Sequence, residues 1–324
     1  MQMISLEQLR DFRVGQAEDV AAGTGCTVII CPEGAVAGVD VRGGGPASRE
    51  TELLRSDMLV EKIQAVMLAG GSAYGLEAAA GAMKFLEARG IGFETGFGVV
   101  PIVCSSCLFD LWTGDGSVRP DQAMGYAACE AAFSQVRPLC GCYGAGTGAT
   151  VGKYLGKDYA MKSGIGIQAL QAGTVQLAAI VAVNALGDVY DPDSHTMLAG
   201  LLGEDKKSLR STEDLMLTDL TDPKILFAGN TTIGCIITNA RLSKPQANRL
   251  ATLAHNGLAR TIKPVHTAFD GDSIFVMASG RAEVFPDALS VLAVRAIMGA
   301  VRTAVLSADC RYGLPASRDI INQG

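Results

Sequence analysis

Phe227-Ala228-Gly229-Asn230-Thr231-Thr232-Ile233-Gly234 is a run of small residues that leads through two threonines into an apolar stretch, residues 232–238. That stretch has the β-branched content and the length of a buried strand. Just upstream, residues 203–223 crowd Glu204, Asp205, Lys206, Lys207, Arg210, Glu213, Asp214, Asp219 and Asp222 between two apolar segments, and read as an exposed loop or linker. Taken alone, the whole segment is adequately read as an ordinary entry from a loop into a sheet.

It also admits a chemical reading. A threonine hydroxyl is a weak nucleophile without a base beside it. If the bond before Thr231 is broken, its own α-amino group, with a pKa of about 7.7–8.0, can take the proton. Breaking that bond needs the Thr231 hydroxyl to attack the Asn230 carbonyl, and Gly229 with the linker behind it frees the chain for the strained conformation this demands. The cut would divide the chain into residues 1–230 and 231–324.

Working outward, residues 27–31, 178–183 and 274–278 read as further strands, and residues 72–89, 122–133, 244–262 and 286–305 as helices. Strands and helices do not alternate as regular βαβ units and no internal repeat is present, so packed layers are expected: an α+β sandwich, a single domain over residues 1–324. With 48% hydrophobic and 19% charged residues the chain is a globular protein. Its net charge of -6 argues against a nucleic-acid partner, which clustered Lys and Arg would have to hold. Nine scattered cysteines, an odd number, suggest buried thiols in a reducing, cytoplasmic compartment. Residues 1–10 lack the order of a secretory signal and apolar runs such as residues 174–183 are short, so no membrane role is expected.

Several other segments carry candidate chemistry. Asp270-Gly271-Asp272 places two carboxylates around a glycine just before the 274–278 strand; extended, both would point to one face and could hold an ammonium group and relay a proton. The same tripeptide also suits a turn or a loose cation site. Residues 144–153 offer backbone donors, Gly146, Thr147 and Gly148 among them, followed by Lys153, which can steady an oxyanion or steer a carbonyl. The Walker spacing fails there because Tyr154 stands where Ser or Thr is needed, and the loose dinucleotide fingerprint lacks its acidic partner, so no nucleotide cofactor is expected. Asn184 ends an apolar strand with an amide that is either a turn residue or an oxyanion donor. No Gly-x-Ser-x-Gly is present, and only His195, His255 and His266 are available as histidine bases. Cys104-x-x-Cys107 and Cys140-x-Cys142 read as buried thiols, not a zinc site, so no metal is expected.

Together these stretches resemble the L-aminopeptidase/D-esterase family, which includes β-aminopeptidases and the endo-type hydrolases of 6-aminohexanoate (nylon) oligomers. The resemblance runs over nearly the whole chain. It rests on Leu68-Ala69-Gly70-Gly71-Ser72-Ala73-Tyr74-Gly75-Leu76, Val100-Pro101-Ile102-Val103, Gly114-Asp115 with Val118-Arg119-Pro120-Asp121, residues 144–153, Val183-Asn184-Ala185, Asn230-Thr231-Thr232-Ile233-Gly234, and Pro264-Val265-His266-Thr267 with Phe269-Asp270-Gly271-Asp272. It implies a four-layer αββα sandwich, an inactive precursor cut ahead of the nucleophile, and a homo-oligomer of αβ units, commonly a tetramer. It further implies Thr231 as nucleophile, Asp270 and Asp272 as its hydrogen-bonding partners, Lys153 as a supporting cation, Asn184 as oxyanion donor and Tyr74 near a small peptide or oligoamide substrate, with no metal or organic cofactor. The aminopeptidase branch has Gly-Ser at the cut and a Ser/Glu pair later; Asn-Thr with Asp/Asp is the oligoamide-hydrolase pattern. Cys104 departs from a proline and Phe109 from an oxyanion-assisting tyrosine. Acyl transfer of the ornithine acetyltransferase type, or an uncleaved binding scaffold, are the alternative readings.

Overall fold

Four of the apolar runs are unbroken, without the polar residue at every second position that a half-exposed strand shows, so their strands need cover on both faces. The structure, a computed structural model that describes residues 1–134, 136–220 and 229–321, supplies that cover. Its main strands are β1 (Arg13–Asp19), β2 (Thr24–Val41), β3 (Lys62–Ala69), β4 (Val103–Cys107), β5 (Ile165–Ala172), β6 (Val175–Asn184), β7 (Asp188–Tyr190), β8 (Thr231–Ala240) and β9 (Ser273–Ala282). The helices that cover them are α1 (Ala78–Glu87), α2 (Gln122–Phe133), α4 (Lys244–Ala259) and α5 (Pro286–Leu306), with a short α3 (Thr212–Thr218) between β7 and β8.

All but β7 belong to one ten-stranded sheet in the order β5-β6-β8-β9-β2-β3-β4, with β1 paired onto β2 and short strands at Gln2–Met3 and Ala47–Arg49 closing the edges. The sheet doubles over at β2, whose first half pairs with β1 and β3 and whose second half pairs with β9, across an irregularity between Ile30 and Ala35. Strand alternation then sorts each run between two cores. Ile29, Val66, Leu68, Ile180, Ala182, Cys235, Ile237, Phe275 and Met277 point into the space between the two halves of the sheet. Val28, Ile30, Ala65 and Met67 meet α1 and α2, while Val181, Val183, Ile236, Ile274 and Val276 meet α4 and α5. Three cores between four layers make the αββα sandwich.

Helix starts follow local chemistry. The Asp121 carboxylate caps α2 at Met124 N (2.9 Å), and Ser243 with Gln246 forms a reciprocal capping box on α4. α5 is long and apolar enough to cross a membrane, but it lies mostly buried against β5 and β6 as a core helix. Two expectations need correction. The helix expected from residue 72 begins as a 3-10 segment, Ser72–Glu77, because Ser72 has positive φ and its N–H is drawn to Leu108 O at 2.9 Å. The polar stretch expected to be an exposed loop holds α3, anchored where the buried Asp188 carboxylate takes Thr212 N and Oγ1, both at 2.7 Å. Residues 221–228, including Asp222, Phe227 and Ala228, lie outside the described residues.

Candidate active site

β8 and β9 run parallel and β6 runs antiparallel to β8, so the start of β8, the start of β9 and the end of β6 lie together at one end of the sheet. The register puts Asn184 directly opposite Thr231. Residues 184, 231 and 270–272, far apart in sequence, are thus brought side by side by strand direction alone.

Thr231 is buried, and its Oγ1 lies against the carbonyl oxygen of Asn230, the residue before it. That carbonyl oxygen accepts the N–H of Gly271 at 2.9 Å. Asp272 is 1% exposed; its Oδ1 accepts Thr232 N at 2.6 Å, and its Oδ2 accepts His266 N at 3.2 Å and faces His266 Nδ1 at 2.8 Å. Asp270, also 1% exposed, takes Thr267 N (2.8 Å) and Thr267 Oγ1 (2.6 Å) on one oxygen. Burial, and then repulsion from Asp272, push the Asp270 carboxyl up to about 6.

The cation is as deeply placed. Lys153 Nζ donates to Asn184 O at 2.8 Å and to Gly229 O at 3.2 Å. Burial lowers its pKa to about 7 against the pull of Asp270, Asp272 and Asp110. The Asn184 side chain is fully buried and fixed at both ends, Oδ1 accepting Thr150 N (3.0 Å) and Nδ2 donating to Phe109 O (3.0 Å) and Gly229 O (3.4 Å). A cavity of about 150 Å³ opens beside Thr231, walled by Ala47, Cys107, Phe109, Ala268 and Phe269. Among the described residues no charged side chain lines it.

The structure therefore gathers Thr231, Asn230, Asp270, Asp272, Lys153 and Asn184, with different bonds from those expected. Neither carboxylate bonds the Thr231 hydroxyl: Asp270 sits in a turn before β9, not on an extended strand, and Asp272 holds the neighbouring Thr232 N–H. Asn184 reaches Gly229 O, one residue short of the carbonyl beside Thr231. The glycine loop is not brought to the cavity. Gly146 O is taken by Lys162 Nζ (3.3 Å), Thr147 Oγ1 by Gly144 O (2.7 Å) and Gly148 O by Thr113 Oγ1 (3.0 Å), all buried in the scaffold. Tyr74 is 59% exposed beneath the Arg119 guanidinium, 3.8 Å from its ring, and does not line the cavity either.

The site also contains residues to which sequence reasoning assigned no role beside the two carboxylates. His266 and Thr267 clamp the two carboxylates. Arg42 N and Gly45 N donate to Asp272 O (2.9 Å) and Asp270 O (2.8 Å), and at Gly43 a Cβ would overlap the Asp270 backbone. The Gly43-Gly44-Gly45 cluster was the available signal: it marks a close backbone approach, though not to what.

Comparison with known proteins gives the family and the fold. An aminopeptidase of Mycobacterium tuberculosis, itself uncharacterized, is 38% identical over 98% of both chains. The 6-aminohexanoate-oligomer endohydrolase of Kocuria sp. is 32% identical over 84% of this chain and 74% of its own. In fold, the chain matches a β-aminopeptidase of Burkholderia sp. (TM-score 0.63, 23% identity, 92% of this chain and 84% of that one). It likewise matches an L-aminopeptidase D-Ala-esterase/amidase of Ochrobactrum anthropi, a variant of the Ntn hydrolase fold (TM-score 0.69, 16% identity, 92% and 84%). Residues 7–312 match peptidase family S58. The chain belongs to that family and is an amide-bond hydrolase.

Proposed function

We propose that the chain cuts itself between Asn230 and Thr231, into fragments 1–230 and 231–324, and then hydrolyses amide bonds with Thr231 as an N-terminal nucleophile. The observation that carries this reading is the contact between buried Thr231 Oγ1 and the Asn230 carbonyl oxygen, at the edge of a cavity. Once the cut is made, the Thr231 amine draws the proton from its own hydroxyl and the alkoxide attacks the substrate carbonyl. Asn184 Nδ2 and Lys153 Nζ take the oxyanion, the leaving amine departs with the proton, and water releases the acyl group as an acid. Asp270 is ionised above about 6 while Lys153 keeps part of its charge near 7, so an anion for the amine and a cation for the oxyanion coexist near neutral pH.

The cavity and kinship both support a substrate class. Among the described residues the cavity walls carry no carboxylate to pair with a free ammonium terminus. A relative at 32% identity is named an oligoamide endohydrolase. Internal amide bonds of short peptides or 6-aminohexanoate-type oligoamides fit best. The nine free thiols favour a reducing cytoplasm, and exposed Leu59 and Phe97 favour assembly of αβ units into a homo-oligomer.

Intact-mass spectrometry of freshly purified protein beside a Thr231→Ala variant tests the reading. A fragment beginning at Thr231 is expected in the former alone. If both stay full length under every condition tried, the nucleophile assignment is wrong.

A further inference from the structure

Two carbonyls near the nucleophile are held by different donors. Asn230 O, the oxygen on the bond to be cut, accepts Gly271 N–H at 2.9 Å. Gly229 O, one residue upstream, accepts Lys153 Nζ at 3.2 Å and Asn184 Nδ2 at 3.4 Å. Neither of the latter donors bonds Asn230 O in the continuous chain. Self-cleavage places its developing negative charge on Asn230 O, so the group positioned to stabilise it is the Gly271 amide.

The geometry points to two separate oxyanion sites in this protein: the Gly271 backbone N–H for self-cleavage, and the Asn184–Lys153 pair for substrate, the latter filled by the Gly229 carbonyl until the cut is made. The inference rests on self-cleavage before Thr231 and adds how the precursor is kept from acting on substrate. In the first step Thr231 Oγ1 bonds to the Asn230 carbonyl carbon and the bond from that carbon to Thr231 N breaks. The hydroxyl proton passes to that nitrogen, leaving an ester and a free amine. Water then adds to the ester, the bond to Oγ1 breaks, the hydroxyl is restored, and Asn230 ends as a carboxylate with its proton released to solvent.

Three features support the division. Gly271 has no space for a side chain: a Cβ there would stand 2.9 Å from both Thr231 Oγ1 and Gly45 O, so its backbone packs directly against the nucleophile. The bridge between Asn230 and Asp270 fixes that amide by backbone pairing, independent of side-chain rotamers. Asn184 is held rigidly by Thr150 and Phe109, so it does not need Gly229 to keep its orientation, and its Nδ2 is ready for a substrate carbonyl once Gly229 leaves.

The test compares self-cleavage and turnover in the same variants, using gel time courses for the first and hydrolysis of N-acetyl-alanine p-nitroanilide for the second. Asn184→Ala and Lys153→Met should cleave themselves within about tenfold of wild type yet lose about 10²–10³ in kcat. A variant that cleaves itself is folded at Thr231, so the loss is not unfolding. In the Thr231→Ala precursor the Gly271 amide should be strongly protected from hydrogen exchange. If both variants lose self-cleavage in proportion to turnover, or if Gly271 exchanges freely in that precursor, the two sites are not separate and the inference is overturned. Failure of the wild-type chain to be cut at Thr231 would instead sink the function on which it rests.

Discussion

Replacing Asp272 by asparagine in a Thr231→Ala chain, chosen so that the proposed self-cleavage cannot intervene, keeps the shape of the side chain and removes one charge from the cluster. Asp272 has three partners: Thr232 N at 2.6 Å, His266 N at 3.2 Å and His266 Nδ1 at 2.8 Å. With its one oxygen kept on Thr232 N–H, the new amide group turns an NH2 toward His266 N–H, donor against donor. The bond to Thr232 falls from charge-assisted to neutral, a loss of about 1 kcal/mol, and the stranded His266 N–H costs about 1–3 kcal/mol. Against this, Asp270 is relieved of its charged neighbour, and its carboxyl, pushed up to about 6 by burial and by Asp272, moves down. A carboxyl whose pKa is raised on folding binds its proton more tightly in the native state, so its contribution is greatest at low pH and is lost as pH rises from about 4 to about 6. The relief therefore helps the variant at pH 7 and not below Asp270's ordinary range. Urea unfolding with linear extrapolation should show a destabilisation of about 2 kcal/mol at pH 7 and about 3 kcal/mol at pH 5. A loss under about 0.5 kcal/mol at both pH values would refute the reasoning, since buried donors would then be indifferent to their acceptor.

Lys153→Met carries the opposite sign of pH dependence. Lysine with a native pKa lowered to about 7 binds its proton less tightly folded than unfolded, so the parent gains stability as pH rises from about 7 toward 10; the variant should lack that rise, measured by urea unfolding across the range. Asp188→Ala leaves Leu201 N, Thr212 N and Thr212 Oγ1 without their buried acceptor and should cost about 3–5 kcal/mol in the same assay. Gly43→Ala drives a Cβ into the Asp270 backbone and should slow both self-cleavage and turnover by about 10²-fold by displacing the carboxylates; unchanged rates would show that the Gly43 segment does not position them.

The legible parts of this fold are those with a local cause. α2 was readable to its bounds because Asp121 caps an alanine-rich run with no competing signal. The strands were readable because both faces are buried, which makes each run unbroken. α3 was hidden since its anchor is Asp188, residues away on β7, and a charged stretch gives no sign of a distant acceptor. In the site, the residue types Thr231, Asp270, Asp272, Lys153 and Asn184 could be chosen from chemistry, but not their bonds. Those depend on β8 and β9 running parallel, which lays the Asp270–Asp272 turn beside Thr231, and on the 43–45 segment closing over it. Gly146, Thr147 and Gly148 misled because glycine is equally the mark of a ligand loop and of tight internal packing.

The proposed cut before Thr231 would not release the nucleophile, and the reason lies in the sheet. Thr231 opens a central strand that is paired along its length with β6 on one side and with β9 on the other. Its register is set by Asn184 opposite, and Asp272 grips the next amide at 2.6 Å. None of these bonds crosses the bond that is broken. What the proposed cut would release is Asn230 and Gly229, whose described bonds run to Gly271, Phe269, Lys153 and Asn184. Those partners stay behind, positioned by strands and turns that do not depend on the departing segment. The new amine of Thr231 would then lie beside the cavity of about 150 Å³, with the Gly271 amide freed of Asn230 O and the Lys153 and Asn184 donors freed of Gly229 O. In the proposed reading one covalent event would thus create the nucleophile's base and clear its binding site, while the rigidity that catalysis needs would be retained by the ladder on either side.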